Sequence, residues 1–171
     1  PNAIFDFTGI EDFISITYLN IANNGNAFSP VSIDISQNTA LTYLDCSSNQ
    51  LTSLDVSGAT SLAYLKCNAN GMTSLDVSQN ILLEELLCHN NQLSSLDVSQ
   101  NINLKEFRCD LNGLTSLDIS QNLSLEILYC QLNNLTSLDL SQNIALKELR
   151  CEINDLTSLD LSQNTALNFL D

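Results

Sequence analysis

The sequence predicts a right-handed β-solenoid, in which one chain winds into stacked coils with parallel strands and very little helix. Two observations predict this fold class: a repeat of fixed length and a short apolar alternation inside every repeat. A period in this range is typical of solenoids, where each coil contacts only its neighbours. The period is 21 residues, as shown by the six cysteines Cys46, Cys67, Cys88, Cys109, Cys130 and Cys151.

Each repeat divides into two similar halves. The first half reads Leu-x-x-Leu-x-Cys-x-x-Asn, as in residues 125–133, and the second reads Leu-x-x-Leu-Asp-Val/Ile/Leu-Ser-Gln-Asn, as in residues 135–143. The Leu-x-Cys and Leu-Asp-Val triplets both alternate inward and outward, which is the period of a strand. We therefore expect parallel sheets on both faces of a flattened coil, with tight turns between them.

The repeats form one domain over residues 1–171. We expect residues 1–15 to cap the first coil through apolar residues that include Ile4, Phe5, Phe13 and Ile14. Residues 16–40 form an irregular first repeat with an insertion at 25–28. Residues 41–166 hold six regular repeats, and residues 167–171 begin a truncated one, so we expect the natural chain to continue.

The cysteines are predicted to be free and buried. In-register stacking places equivalent Cα atoms about 4.8 Å apart with parallel side chains. The Cβ atoms then remain near that distance, beyond the ~3.5–4.5 Å of a disulfide. We expect a column of thiols that act as small hydrophobic groups. The asparagines that end both halves are expected to bond the turn backbone of their own coil and of the next.

Composition excludes several classes of partner. The chain carries 20 acidic and 5 basic residues, for a net charge of −15. Such a chain repels phosphate backbones and anionic membrane surfaces, so we expect no nucleic-acid partner. No apolar run is long enough for a transmembrane helix, so we also expect no membrane insertion.

The first half carries a family resemblance. Leu-x-x-Leu-x-Leu-x-x-Asn-x-Leu is the signature of leucine-rich repeats, and residues 16–171 follow it with cysteine at the third apolar position. The nested 21-residue form resembles the bacterial IRREKO subfamily, and the Leu-Thr-Ser-Leu-Asp-Val-Ser wording resembles surface and secreted repeat proteins of Bacteroidetes. This resemblance implies a curved solenoid with the Leu-x-Cys sheet on its concave face. It also implies binding of a protein or glycan, at the cell surface or outside the cell.

Function is predicted on the first half, because only its outward positions vary from repeat to repeat. The second half repeats Thr-Ser-Leu-Asp almost unchanged, as stacking demands. Exposed tyrosines and leucines can also be ordinary surface residues, but the variable face as a whole favours a contact surface. The candidate ligand-binding residues are Tyr43, Tyr64, Lys66, Leu87, His89, Arg108, Ile127, Tyr129 and Arg150.

The second half contains a column of aspartates with two interpretations. Carboxylates about 4.8 Å apart repel one another and could hold Ca²⁺, or they could accept hydrogen bonds from neighbouring Ser and Thr groups or turn N–H groups. We favour the hydrogen bonds, since one carboxylate per coil rarely supplies the six to eight oxygens, roughly, that Ca²⁺ takes. The column comprises Asp34, Asp55, Asp76, Asp97, Asp118, Asp139 and Asp160.

No catalytic constellation is predicted, and neither an enzyme activity nor a cofactor is expected. His89 is the only histidine and adjoins Cys88, but neighbours on a strand point to opposite faces. Zinc would need converging ligands, and no Cys-x-x-Cys motif is present. The main alternative to a recognition module is a structural spacer or adhesin segment of a larger surface protein.

Overall fold

The fold is a parallel β-solenoid of about seven coils with almost no helix, which confirms the predicted fold class. The structure is a computed structural model that describes residues 6–24 and 33–171. A 3₁₀ turn at Ile10–Asp12 precedes the strands. These are β1 Tyr18–Asn20, β2 Tyr43–Asp45, β3 Tyr64–Lys66, β4 Glu85–Leu87, β5 Glu106–Arg108, β6 Ile127–Tyr129, β7 Glu148–Arg150 and β8 Phe169–Leu170.

The eight strands form one parallel sheet in chain order. From β2 onward each strand residue pairs with the residue 21 positions later in the next strand, as Tyr43 does with Tyr64 and Leu44 with Leu65. The β1–β2 pair joins Tyr18 to Tyr43, a step of 25. The four additional residues match the insertion predicted at 25–28, which lies outside the described residues. The register of the sheet is therefore the same before and after the insertion.

The core is a column of apolar side chains through the centre of the coils. The middle residue of each strand from β2 to β7 is buried, and Phe107 is the largest of them. All six cysteines are free and buried, so the predicted thiol column is confirmed. Burial raises the pKa of the Cys46 thiol to about 12, which leaves it uncharged near neutral pH. The thiols therefore act as packing groups.

The second half of the repeat differs from its prediction, because it forms no sheet among the described residues. Its single ladder contact is an isolated bridge between Asp55 and Asp76. The reason is that backbone donors after the aspartate bond within their own coil. Ser99 N donates to Asp97 Oδ1 at 2.9 Å, and Asn101 N donates to the Val98 carbonyl at 3.0 Å. Donors used in these turns cannot also join a sheet.

Two columns of asparagine amides connect the coils. At the end of the first half, Asn91 Nδ2 donates to the carbonyls of Cys67 and Cys88 at 3.1 and 3.0 Å, while its Oδ1 accepts from Met72 N at 3.1 Å. At the end of the second half, Asn101 Nδ2 donates to the carbonyls of Val77 and Asn80 at 3.0 and 2.9 Å. These bonds satisfy buried carbonyls that no helix or sheet serves, as predicted.

The N-terminal segment covers the first coil only in part. Phe7 and Ile16 pack against the core, and the carbonyls of Ile10 and Phe13 accept from Asn38 Nδ2 at 2.9 and 3.0 Å. The expectation that Phe13 also covers the core is wrong, because it is 61% exposed. The same holds for Ile14, which is 62% exposed. Ile4 and Phe5 lie outside the described residues.

Candidate functional site

The candidate site is the strand face, which we define as the outward side chains of β1–β8 and of the residue that follows each strand by two positions. Within each strand from β2 to β7 the two outer residues project away from the core while the middle one is buried, as in Glu85, Leu86 and Leu87. The alternation follows from the pleat of a strand. All nine candidate residues lie on this face: Tyr43, Tyr64, Lys66, Leu87, His89, Arg108, Ile127, Tyr129 and Arg150.

One end of the strand face is aromatic. The rings of Tyr18 and Tyr43 are stacked, with centroids 4.5 Å apart and planes 7° apart. Tyr64 continues the row, with its centroid 6.4 Å from that of Tyr43 at a tilt of 36°. The first strand position is tyrosine in three successive coils, so register alone brings the rings together. We call Tyr18, Tyr43 and Tyr64 the tyrosine row.

Lys66 lies beside the tyrosine row, on the same strand as Tyr64. Its Nζ lies 5.8 Å from the centroid of the Tyr43 ring and 3.2 Å from Glu85 Oε1. Burial alone would lower the pKa of Lys66, but the hydrogen bond and charge of Glu85 outweigh it and raise the pKa. Lys66 is therefore a charged, partly covered side chain held by two neighbours.

The other end of the strand face is a sandwich of cations and rings. The Tyr129 ring lies between the guanidinium carbons of Arg108 and Arg150, at 4.5 and 4.8 Å from its centroid. Arg150 also lies 5.1 Å from the centroid of Phe169. Each such contact contributes about 0.5–1 kcal/mol at an exposed site. We call Arg108, Tyr129 and Arg150 the arginine sandwich.

Carboxylates fix the arginine sandwich in place. Arg108 Nε lies 2.6 Å from Glu106 Oε1, and Tyr129 Oη donates to Glu148 Oε2 at 2.9 Å. Burial, followed by this bond to Glu148, raises the pKa of Tyr129. The phenol is therefore a neutral donor at physiological pH. The sandwich is a pre-formed, amphipathic surface.

A partly buried polar column runs beside the sandwich, in the position two residues after each strand. Burial is the main cause that raises the pKa of Asp110 and lowers the pKa of His89. Asp110 and Gln131 are each only 8% exposed. His89 Nδ1, Gln131 Oε1 and Glu152 Oε2 are buried and have no hydrogen-bond partner. Buried polar groups without a hydrogen-bond partner are uncommon in folded proteins. We call His89, Asp110, Gln131 and Glu152 the polar column.

Leu87 lies between the two ends of the strand face, because the sheet register places it between Lys66 and Arg108. Ile127 lies at the sandwich end, on the same strand as Tyr129 and between Glu106 and Glu148. Both apolar side chains are half-buried. The structure thus brings the candidate residues together as two clusters with Leu87 between them. Sequence reasoning left Tyr18, Phe169, Asp110 and Gln131 out of the candidate set, although each occupies the same repeat positions as its members.

The aspartate column is engaged in turns. In all seven coils Oδ1 of the aspartate accepts from the backbone N–H of the serine two residues later, at 2.8–2.9 Å. These bonds to serine lower the pKa of Asp34, Asp55, Asp76, Asp97, Asp118, Asp139 and Asp160. Within the described ranges, no group of three or more His, Cys, Asp or Glu residues could hold a metal ion. The geometry supports the hydrogen-bond interpretation.

Cys88 and His89 lie on opposite sides of their coil, as the alternation predicts. Cys88 is fully buried in the core, and its Sγ lies 3.5 Å from the Arg108 carbonyl. His89 belongs to the polar column on the outer face. The two side chains therefore cannot act as a nucleophile and its base.

The chain was compared with known proteins by sequence and by structure. No protein-family model and no curated protein matches it. Among solved structures, the functional domain of InlJ from Listeria monocytogenes, which includes a cysteine ladder, superposes with a TM-score of 0.94 at 48% identity over 99% of this chain. A leucine-rich repeat protein of Leptospira interrogans superposes with a TM-score of 0.85 at 28% identity over 95% of this chain.

A plant example extends the likeness of fold. The leucine-rich repeat ectodomain of the Arabidopsis thaliana membrane receptor kinase GASSHO1/SCHENGEN3, solved in complex with CASPARIAN STRIP INTEGRITY FACTOR 2, has a TM-score of 0.81 at 22% identity. It is matched over 92% of this chain and 21% of its own length. At this identity the likeness concerns the fold alone.

These comparisons define a class of protein. The chain has the leucine-rich repeat fold, and its similar structures include bacterial leucine-rich repeat proteins. Proteins of this fold typically serve as interaction modules without enzymatic activity. The chain spans 37% of the InlJ structure and 44% of the Leptospira structure. Within residues 6–24 and 33–171, no helix is both long and apolar enough to cross a bilayer.

Proposed function

We propose that this chain is a non-catalytic recognition module that binds a protein or a glycan through the strand face. The observation that supports this most directly is that the strand face varies from coil to coil while the second half hardly changes. The aspartate and asparagine side chains of the second half bond the backbone, and these positions are constant apart from Ala59. The strand face varies, and its variation places aromatic groups at one end and an arginine sandwich at the other.

The chemistry of the strand face suits contact with a ligand. Tyrosine offers a rigid apolar ring together with a hydroxyl, and tyrosine and arginine are enriched among residues that dominate binding energy. Tyr64 is 39% exposed and Tyr18 is 61% exposed, so ring surface is available. The neighbouring contacts hold these side chains in place before a ligand arrives, which reduces the entropic cost of binding.

Family and location are further parts of the proposal. We infer that the chain belongs to the nested 21-residue subfamily and resembles the repeat proteins of Bacteroidetes, on the basis of its repeat length and wording. We also infer a place at the cell surface or outside the cell, with no nucleic-acid partner because of the net charge of −15. Glycan binding is the less supported of the two ligand classes, since the fold typically serves protein interaction.

A protein and glycan array tests the proposal. We expect specific signals with the native chain and their loss with the double variant Tyr64→Ala/Tyr129→Ala, because each end of the strand face then loses an aromatic ring. The matched control is Thr73→Ala/Thr136→Ala, which changes exposed residues of the same two repeats on the second half. Absence of any signal with the native chain, or equal signals for all three proteins, would favour the structural spacer or adhesin segment.

A calcium-stabilised solenoid is the remaining alternative for the aspartate column. The column offers one carboxylate per coil, already bonded to a turn N–H, so we expect Ca²⁺ to leave the melting temperature unchanged. Thermal unfolding with Ca²⁺ and with a chelator measures this. A higher midpoint in Ca²⁺, lost in Asp97→Asn, would support the calcium alternative.

A further inference from the structure

A second surface lies just outside the strand face, at the turn that follows the polar column. In each of seven coils the residue three positions after the strand has a left-handed backbone conformation, which Gln50 also has. In the first four these residues are Asn23, Ser48, Ala69 and Asn90, which are small or polar. In the next three they are Leu111, Leu132 and Ile153, with φ of 54°, 56° and 54°. We call these last three residues the apolar ridge.

The apolar ridge works against the backbone that carries it. A positive φ is uncommon for residues other than glycine, is most tolerated by asparagine, and is a genuine outlier for a β-branched residue such as Ile153. Such conformations persist where the surroundings impose them, and they concentrate at functional positions. The turn itself is compatible with Asn90 in the same column, so the fold does not require a large aliphatic side chain there.

Burial does not explain the ridge either. Leu111, Leu132 and Ile153 are 45%, 36% and 67% exposed. Another exposed aliphatic column exists at Ile102, Leu123 and Ile144, which shares two coils with the ridge and begins one coil earlier, but none of these has a positive φ. Ordinary surface variation accounts for that second column. The ridge combines solvent exposure with conformational strain, and neither favours folding.

The surroundings of the ridge indicate the chemistry of its partner. Asp110, Gln131 and Glu152 of the polar column immediately precede the three ridge residues. Gln131 is 8% exposed, and the side-chain oxygens Gln131 Oε1 and Glu152 Oε2 have no donor. Of the nearby guanidinium groups, Arg108 is ion-paired with Glu106, whereas Arg150 faces the rings of Tyr129 and Phe169 and its buried Nε has no hydrogen-bond partner. The ridge is bordered by two side-chain oxygens without hydrogen-bond partners, on a chain of net charge −15.

We propose that the apolar ridge and the adjoining polar column dock an extended segment of a partner protein that carries apolar side chains together with lysine or arginine. The apolar side chains cover the ridge, and the cationic groups supply donors to Gln131 and Glu152 once these side chains turn outward. This inference extends the proposed recognition function to a surface outside the strands. It also identifies a basic protein segment as the ligand of the apolar ridge and the polar column.

Peptide selection provides the test. Phage-displayed random dodecapeptides are selected on the native chain, and selected peptides are then synthesised for affinity measurements. We expect enrichment of peptides that combine Lys or Arg with Leu, Ile or Phe. Their Kd should rise about tenfold or more with Leu111→Asn/Leu132→Asn/Ile153→Asn. This variant removes three apolar contacts, and a loss of about 1.4 kcal/mol of binding free energy raises Kd tenfold. Replacement of their basic residues by glutamate should abolish binding.

A matched control separates the ridge from surface hydrophobicity in general. Ile102→Asn/Leu123→Asn/Ile144→Asn removes three exposed aliphatic groups from overlapping coils and should leave Kd within about twofold of the native value, because surface changes away from a contact have little effect. The ridge variant should also melt a few degrees higher than the native chain, because asparagine tolerates the left-handed conformation better. Lost binding in a more stable protein cannot be attributed to unfolding.

Several results would overturn the inference. These are selected peptides without basic residues, no enrichment at all, equal binding to native chain and ridge variant, or a ridge variant that melts below the native chain. Tyr64→Ala/Tyr129→Ala is measured in parallel on the same peptides. Peptides that lose affinity only in this strand-face variant would refute the ridge while leaving the proposed function intact, and the opposite pattern would support the ridge alone.

Discussion

The two halves of each repeat bury similar leucines but hold their backbones in different ways. In the first half, main-chain donors bond main-chain acceptors of the next coil, as from Cys109 N to the Tyr129 carbonyl at 2.9 Å. In the second half, side chains bond the backbone instead: Asp97 accepts from Ser99 N within its own coil, and Asn101 donates to the Val77 carbonyl of the preceding coil. Where the backbone bonds itself, outward side chains are free to vary. Where side chains bond the backbone, the residue type is fixed.

The largest expected effect compares the two asparagine columns. Asn133 Nδ2 donates to the carbonyls of Cys109, Cys130 and Gln131, and its Oδ1 accepts from Leu114 N. Asn122 only donates, and its Oδ1 has no partner. We expect Asn133→Ala to cost about 3–4 kcal/mol and Asn122→Ala about 2 kcal/mol, since each orphaned buried group costs roughly 1–3 kcal/mol.

Urea unfolding of both variants measures this difference. The control is Asn134→Ala, an exposed residue beside Asn133 whose side chain belongs to neither column. Equal losses for Asn133→Ala and Asn122→Ala would mean that the bond to Leu114 N contributes nothing. The two asparagine columns would then contribute equally to the free energy of unfolding.

A smaller effect is expected from the aspartate of the second half. Asp97→Ala removes the acceptor for Ser99 N and should lower the free energy of unfolding. Asp97→Asn retains an oxygen in the same place and should lose only the part of this stability that the charge provides. Thermal and urea unfolding provide the measurement, with Tyr64→Ala as a strand-half comparison expected within about 0.5 kcal/mol of the native chain. A costly Asp97→Asn would show that the charge, rather than the acceptor, is what the turn requires.

Acid should weaken the second half before the first. Hydrogen bonds from the serines lower the pKa of the aspartate column in the folded chain below the ordinary value of 3.8. As pH falls below that value, the unfolded chain takes up protons first, so this contribution is present above pH 3.8 and is lost as pH falls through the folded pKa. Melting temperatures from pH 6 down to about pH 3 should decline, and less steeply in Asp97→Asn. A steeper decline in that variant would contradict the assignment.

Much of this architecture could be predicted because the period fixes the register. Once Tyr43 and Tyr64 are known to be 21 residues apart, their pairing and the burial of Leu44 and Leu65 follow. The second sheet was predicted wrongly because Leu-Asp-Val alternates like a strand. The hydrogen bond from a turn N–H to the aspartate was expected, but its consequence, a turn in place of a second sheet, was not drawn from the pattern.

The candidate surface was less predictable than the fold. Register predicted that Arg108, Tyr129 and Arg150 share a column, but their sandwich depends on side-chain rotamers that a repeat pattern does not specify. The left-handed turn residues were also missed, because Leu111 and Ile153 carry no signal for that conformation. Asn90 does carry such a signal, and alignment of the repeats within the chain could have transferred it to them.

The register of 21 residues also governs how such a molecule can change length. Because each strand pairs only with the strands of the adjacent coils, deletion or duplication of one whole unit joins two coils that already fit together. Such an event adds or removes a set of outward side chains without disturbing the interior. Recombination between similar units of the gene would therefore supply surfaces of different length at little risk to folding.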